Sequence, residues 1–144
     1  MKAIIEIPKG STYKYEVDKL TGVLTVDRIV HMKYPQNYGF IPNTLGEDGD
    51  PLDIFVFSSD PIYPLSRVNV EVIGIIKMTD NGVRDDKIIA KLKDDNLLPI
   101  SAISDLIHFL RAYKSNTEVL AYENAGEALR VIEQCVNKGS FPNG

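Results

Sequence analysis

The run Asp48-Gly49-Asp50-Pro51-Leu52-Asp53 places three carboxylates within six residues. Carboxylates this close repel one another unless positive charge lies between them, so the run is either splayed in solvent as an acidic turn or gathered on a metal ion. An all-oxygen donor set suits Mg²⁺, Mn²⁺ or Ca²⁺, whereas Zn²⁺ more often draws His or Cys. The spacing touches that of an EF-hand, but Pro51 and the apolar run LDIFVF stand where a calcium loop would continue. Taken alone, the hexapeptide leaves both the metal site and the acidic turn open.

A second set of acids lies further along the chain. Asn81-Gly82 favours a two-residue type I′ turn, because both central positions need positive φ. A tight turn there sets Asp80 opposite Val83 and Met78 opposite Asp85, so Asp80, Asp85 and Lys87 share one face. Glu6 and Glu16 also fall on strand patterns, and alternation puts Lys14 on the same face as Glu16. Arg28 falls on an otherwise apolar face with Leu24 and Val26, which calls for a partner or a cleft. Tyr34 and Tyr38 lie in YPQNYGF, and Tyr113 precedes Lys114. Singly, these residues read as exposed charges or core aromatics. Together they suit a small polyanion bridged by divalent cations: cations neutralise phosphate oxygens, phenols donate hydrogen bonds, and a surplus carboxylate takes a proton from the attacking water. No Walker loop, dinucleotide fingerprint or Ser-His-Asp order competes with phosphoryl hydrolysis. His31 and His108 read as structural or solvent-facing, and Cys135 as a small apolar residue on a helix.

The elements that must position these groups are strands first and helices last. Strands are predicted over 2–7, 12–18 and 23–29, with a turn at Asp18 to Gly22, then over 52–57, 67–79 and 83–92. Residues 30–51 hold Pro, Gly and Asn without a period and read as a long irregular segment. Ile103, Leu106, Ile107, Leu110 and Tyr113 predict a helix near 102–114. A second helix starts at Asn124 with Glu127 as capping-box partner, turns Ala125, Ala128, Leu129, Ile132 and Val136 inward, and stops at Gly139. At 144 residues with 44% hydrophobic content, residues 1–144 read as one domain with its own core. A net charge of −4 gives no electrostatic reason to bind nucleic acid. The N-terminal MKAIIEIPKG is too short and too soon charged for a signal peptide, no stretch reaches membrane-spanning length, and a single Cys allows no intrachain disulfide. A cytoplasmic setting is expected.

Several motifs in order carry a family resemblance: IEIPKG, KYEVDK, TVDR, YPQNYGFIPNTL, DGDPLDI, KMTDNG and the Asp85 to Lys87 segment. They span nearly the whole chain, which resembles the soluble, family I inorganic pyrophosphatases. That resemblance implies a mainly β fold with two C-terminal helices, built on an OB-like five-stranded β-barrel, and Mg²⁺-dependent hydrolysis of pyrophosphate with Mn²⁺ as a substitute. It implies that Asp48, Asp53, Asp80 and Asp85 are metal ligands, with Glu6 and Glu16 acting through waters. It makes Asp50 the general base and Lys14, Arg28, Tyr38, Lys87, Tyr113 and Lys114 the substrate-binding set, with Tyr34 in support. It also implies a homo-oligomer, hexamer favoured over dimer or trimer, while the short connections after Lys87 and Lys114 mark a trimmed variant. A related phosphohydrolase of nucleotides or short polyphosphates, and a non-catalytic metal- and phosphate-binding module, are the two other readings.

Overall fold

The computed structural model describes residues 1–18, 20–29, 32–96 and 100–139; His31 lies outside them. In chain order these form β1 (Lys2–Ile7), β2 (Tyr13–Val17), β3 (Leu24–Ile29), β4 (Asn37–Phe40), β5 (Asp53–Phe57), β6 (Arg67–Asp80), β7 (Val83–Arg84), β8 (Lys87–Leu92), α1 (Ile100–Tyr113), β9 (Thr117–Asn124) and α2 (Ala125–Gly139). The expected class, mainly β with two helices near the C-terminus, is what the chain adopts. Five strands close into a ring in the order β1, β4, β5, β8, β6 and back to β1, with β5 and β8 parallel and the other pairs antiparallel. β9 adds to the far side of β6, and β2 and β3 form a separate hairpin.

The core explains the unbroken apolar run of β5. Ile54 and Val56 enter one cluster with Ala3, Ile5, Ile75 and Ile88, while Phe55 and Phe57 enter another with Ile7, Ile76 and Ile89. A strand buried on both faces has no polar side to alternate with. α2 covers the first cluster through Ala128 and Ile132, and α1 covers the second through Leu106, Phe109 and Leu110. Each fully buried Ile or Phe contributes about 1.5–3 kcal/mol, so β5, which begins at Asp53, is anchored more firmly than the loop before it.

The hairpin register holds. Asn81 and Gly82 adopt φ of 52° and 81°, and Asp80 pairs with Val83. The same register continues through Asp85 N–H to Met78 O at 2.9 Å and on to Ile76 opposite Lys87. The predicted strand 83–92 is interrupted at Asp85–Asp86, which separates β7 from β8.

Other expectations are corrected. β4 lies within the stretch read as irregular, because four residues are too few for a period to show. β9 was not expected between the helices; its signal was the alternation of Thr117, Val119 and Ala121, and it pairs along β6 from Gly74 to Asp80. Arg28 does not share a face with Val26. Lys14 pairs with Arg28 but Tyr15 with Val26, so Asp27 is an extra residue on β3, and this bulge reverses the alternation and moves Arg28 to the side of Lys14. In α2, Leu129 and Val136 are 49% and 39% exposed, and Val131 and Cys135 pack inward instead. The small side chain of Ala128, fully buried, lets the helix approach the sheet along that other stripe. Asn124 does cap α2, with Glu127 N–H donating to its Oδ1 at 3.1 Å, but the Glu127 carboxylate is taken by Lys77 and Arg130 rather than closing a capping box.

Gly39 of β4 sits opposite Ile5, and a Cβ there would run into the backbone of Ile4 and Ile5. Gly39→Ala is expected to destabilise the protein by about 3 kcal/mol or more, because backbone cannot move aside as a side chain can. The check is the urea unfolding midpoint, which should fall well below that of the parent.

Candidate active site and metal centre

The loop between β4 and β5 is drawn tight by its own hydrogen bonds. Gly46 N–H donates to Asp50 O at 2.7 Å, Gly49 N–H to Gly46 O at 3.1 Å, and Asp50 N–H to Asp48 Oδ1 at 3.0 Å. Gly49 takes the left-handed conformation the turn requires, at φ 88°. Thr44 closes the loop at its base, donating to Ile41 O at 2.6 Å and accepting from Leu52 N–H at 2.9 Å. The chain then enters β5 at Asp53, which the parallel register places beside Lys87 of β8.

Asp48, Asp53 and Asp85 meet here, with one oxygen from each lying within 4.8 Å of the others. Lys87, only 6% exposed, places its ammonium among them, 2.6 Å from Asp53 Oδ2 and 2.9 Å from Asp85 Oδ2, and donates to Tyr38 OH at 3.3 Å. The acids stay close because a buried cation already sits between two of them. Their donor set is oxygen alone, which fits a hard divalent cation, and the residual repulsion among three carboxylates gives such a cation its hold.

The opposite wall comes from β1, β2, the segment before β4, and the end of α1. Glu6 is buried, its Oε2 accepting Val17 N–H at 3.1 Å. Lys14 and Glu16 face the cavity from β2, and Lys14 reaches Asp27 of the β3 bulge at 3.7 Å. Tyr34 donates to Tyr113 OH at 3.0 Å, and Arg28 donates to the same oxygen at 3.2 Å. Lys114 reaches Asp80 Oδ2 at 3.3 Å. Asp80 thus lines the same cavity but stands outside the three-carboxylate group, paired with a lysine.

Together these walls enclose a cavity of about 240 Å³. Every site residue expected from the sequence lines it except Arg28, which lies at the rim on Tyr113. Sequence reading missed the apolar floor, formed by Phe40, Phe55, Met78, Phe109 and Leu110, because such residues signal only burial. It also missed Arg84 and Asp86, which lie behind the acid group.

The electrostatics follow from depth and neighbours. Burial pushes Asp53 up to about 6 against the opposing pull of Lys87. Burial also raises Asp48, with Asp85 and Asp50 adding repulsion. Asp85 is held below the usual carboxylate range: burial would raise it, but Lys87 and hydrogen bonds from the neighbouring acids outweigh that. Burial would lower Lys87, yet Asp53 and Asp85 hold it above its ordinary value. Burial drives Tyr34 and Tyr38 upward, so both remain hydrogen-bond donors. Tyr113 is lowered; burial opposes this, but its bonds to Tyr34 and Arg28 prevail.

Lys87→Met would leave Asp53 and Asp85 facing each other without a counter-charge. Breaking a buried pair in this way costs about 3–5 kcal/mol, so thermal unfolding in chelator should move to much lower temperature. Added divalent cation should restore part of the loss, since it supplies the missing charge.

Residues 3–140 match the inorganic pyrophosphatase family. The inorganic pyrophosphatase of Halalkalibacterium halodurans is 41% identical over 150 residues, covering 94% of this chain and 92% of that one. Soluble inorganic pyrophosphatase 2 of Chlamydomonas reinhardtii is 41% identical over 152 residues, covering 95% and 79%. Among solved structures, the inorganic pyrophosphatase of Neisseria gonorrhoeae superposes with a TM-score of 0.91 at 33% identity, covering 96% of this chain and 90% of that one. With sequence and backbone both matched across almost the full length, the chain belongs to the inorganic pyrophosphatases, hydrolases of the pyrophosphate anhydride bond.

Proposed function

We propose that pyrophosphate is hydrolysed in the cavity between the β4–β5 loop and the end of α1, with Mg²⁺ as the working cation and Mn²⁺ able to substitute. The observation that carries this reading is the charge of the cavity wall, where seven carboxylates face three lysines. A polyanion is repelled from such a surface until divalent cations have bound, so substrate and metal requirements are one property of the site. Asp48, Asp53 and Asp85 are the residues that hold cation, with Asp80 adding a carboxylate near the substrate and Glu6 and Glu16 ordering solvent. When bound, the divalent ions neutralise phosphate oxygens and lower the pKa of the attacking water.

The chain's own groups do the rest. Lys14, Arg28 and Lys114 supply positive charge on the side away from the metal-holding acids, where phosphate oxygens gain charge as the bridging bond breaks. Tyr38 and Tyr113 offer phenolic hydrogen bonds, and Tyr34 keeps Tyr113 oriented through their shared bond. Lys87 keeps Asp53 and Asp85 together and leaves the acids enough net charge to bind cation. Asp50 lies on the same loop as Asp48 without joining the three-carboxylate group, and is exposed to the cavity where water enters. That position suits a general base, which accepts a proton from water as its oxygen attacks phosphorus in line with the leaving phosphate.

The chain is further read as a single domain acting in the cytoplasm as a homo-oligomer, hexamer favoured. Among the described residues no helix is long and apolar enough to cross a membrane. Size-exclusion chromatography of the purified protein reads the oligomer directly.

Phosphate release from pyrophosphate should require Mg²⁺ and vanish with chelator. Asp50→Asn should keep cation affinity close to that of the parent while lowering turnover by about 10²–10⁴-fold, as for a lost general base; an unchanged rate would remove Asp50 from that role. The pH dependence of cation binding follows from Asp53. Its carboxyl carries a proton below about 6 in the metal-free protein, and cation must displace that proton. Affinity measured by calorimetry should therefore be level above that pH and fall by up to about tenfold per unit below it.

A further inference from the structure

Where β7 gives way to β8, a side chain takes over part of the ladder on β6. Asp85 N–H donates to Met78 O at 2.9 Å, as a regular antiparallel pair would, but Met78 N–H donates to Asp86 Oδ1 at 3.1 Å. Asp86 is then gripped by Arg84 at the end of β7, whose Nε donates to Oδ1 at 2.9 Å and Nη2 to Oδ2 at 3.0 Å. The Asp86 side chain is 10% exposed. Lys87 lines the catalytic cavity, Arg84 and Asp86 line a second cleft with Glu47, and Asp48, Asp53 and Asp85 line both, so the acid group forms the partition between them. Arg84 interacts electrostatically with Glu47 as well, so one guanidinium bears on both segments that carry metal-holding acids.

This arrangement has a physical purpose that hairpin formation alone does not require. The peptide joining Asp85 to Asp86 sets the directions of Asp85 and Lys87, and the Asp86 carboxylate pins that peptide to β6. A further unpaired acid so near the group would add repulsion, but the two-bond pair with Arg84 removes its charge from the balance. We propose that Asp86, clamped by Arg84, is a positioning residue that sets how tightly Asp48, Asp53 and Asp85 hold their cation. The inference rests on the reading of that group as the metal centre.

The test uses the full chain carrying Asp86→Ala, Asp86→Asn or Arg84→Gln. For each, pyrophosphate hydrolysis is followed across a Mg²⁺ titration, with kcat and KM at saturating Mg²⁺ and the thermal midpoint in chelator. Residues that orient metal ligands typically change metal affinity by about 10–100-fold, so Asp86→Ala should raise the half-saturating Mg²⁺ concentration by about tenfold or more. Its kcat at saturating Mg²⁺ should stay within about threefold of the parent, since no contact to substrate is lost. Asp86→Asn keeps an acceptor for Met78 N–H and should shift the Mg²⁺ midpoint less; Arg84→Gln should shift it in the same direction. If Asp86→Ala does not fold, these two variants decide by the same measure. A Mg²⁺ midpoint within twofold of the parent in the folded variants would overturn the inference, as would a fall in kcat and thermal midpoint without any change in Mg²⁺ dependence. A parent protein that hydrolyses pyrophosphate without needing Mg²⁺ would instead overturn the reading of the metal centre.

Discussion

Three carboxylates, Asp48 exposed and Asp53 and Asp85 partly buried, must be kept within a few ångströms of one another, and the rest of the molecule is arranged around that repulsion. Lys87 makes it tolerable by placing one buried ammonium against Asp53 and Asp85. One cation among three acids leaves the group short of positive charge, which is the condition that favours a divalent ion there. A second lysine in the same place would halve that excess of negative charge. Removing the first would force the acids apart or protonate them.

Such a group is useful only if its members cannot relax away from each other. Asp53 and Lys87 are adjacent because β5 and β8 run parallel in register, and both strands are gripped by apolar side chains on their two faces. α1 and α2 close the two core clusters from different sides. The helix that buries Leu106, Phe109 and Leu110 also delivers Tyr113 at its end, so one element both seals the core and supplies a hydroxyl to the cavity wall. The hydrogen bond from Arg28 to Tyr113 ties that helix end to the β2–β3 hairpin, whose strand β3 is mostly exposed, and the bond from Tyr34 ties it to the segment before β4. The rim is thus held by polar contacts, whereas the acid group is held by the core.

Much of the site was legible before the fold because its logic is local. Asn81-Gly82 allows one tight turn, and that turn fixes which side of the hairpin carries Asp80, Asp85 and Lys87. DGDPLD compresses its acids through the backbone bonds of a six-residue loop. Arg28 shows where this reasoning stops: a single extra residue, Asp27, reverses strand alternation, and no residue type announces a bulge. β9 was overlooked because its alternation is short and sits between two strong helical patterns. The rotation of α2 away from Leu129 and Val136 depended on how closely Ala128 could approach the sheet, which is a property of the partner surface as much as of the helix.

The amino-acid sequence by itself determined the chemistry available to this protein: hard oxygen donors, lysines and arginine for phosphate, phenols to donate, and a motif order shared with one enzyme family. Those are properties of residue types and short spacings, and they do not need distant parts of the chain to meet. Only the tertiary structure decided that Asp80 pairs with Lys114 while Asp48 gathers with Asp53 and Asp85, the two acids that hold Lys87. It also decided that Asp86, an unremarked acid in the sequence, is turned to the rear and engaged with Arg84 and the Met78 backbone. The reason is electrostatic and geometric at once: a charge takes its role from the charges within a few ångströms, and here those neighbours are brought together by strand register and core packing rather than by proximity along the chain.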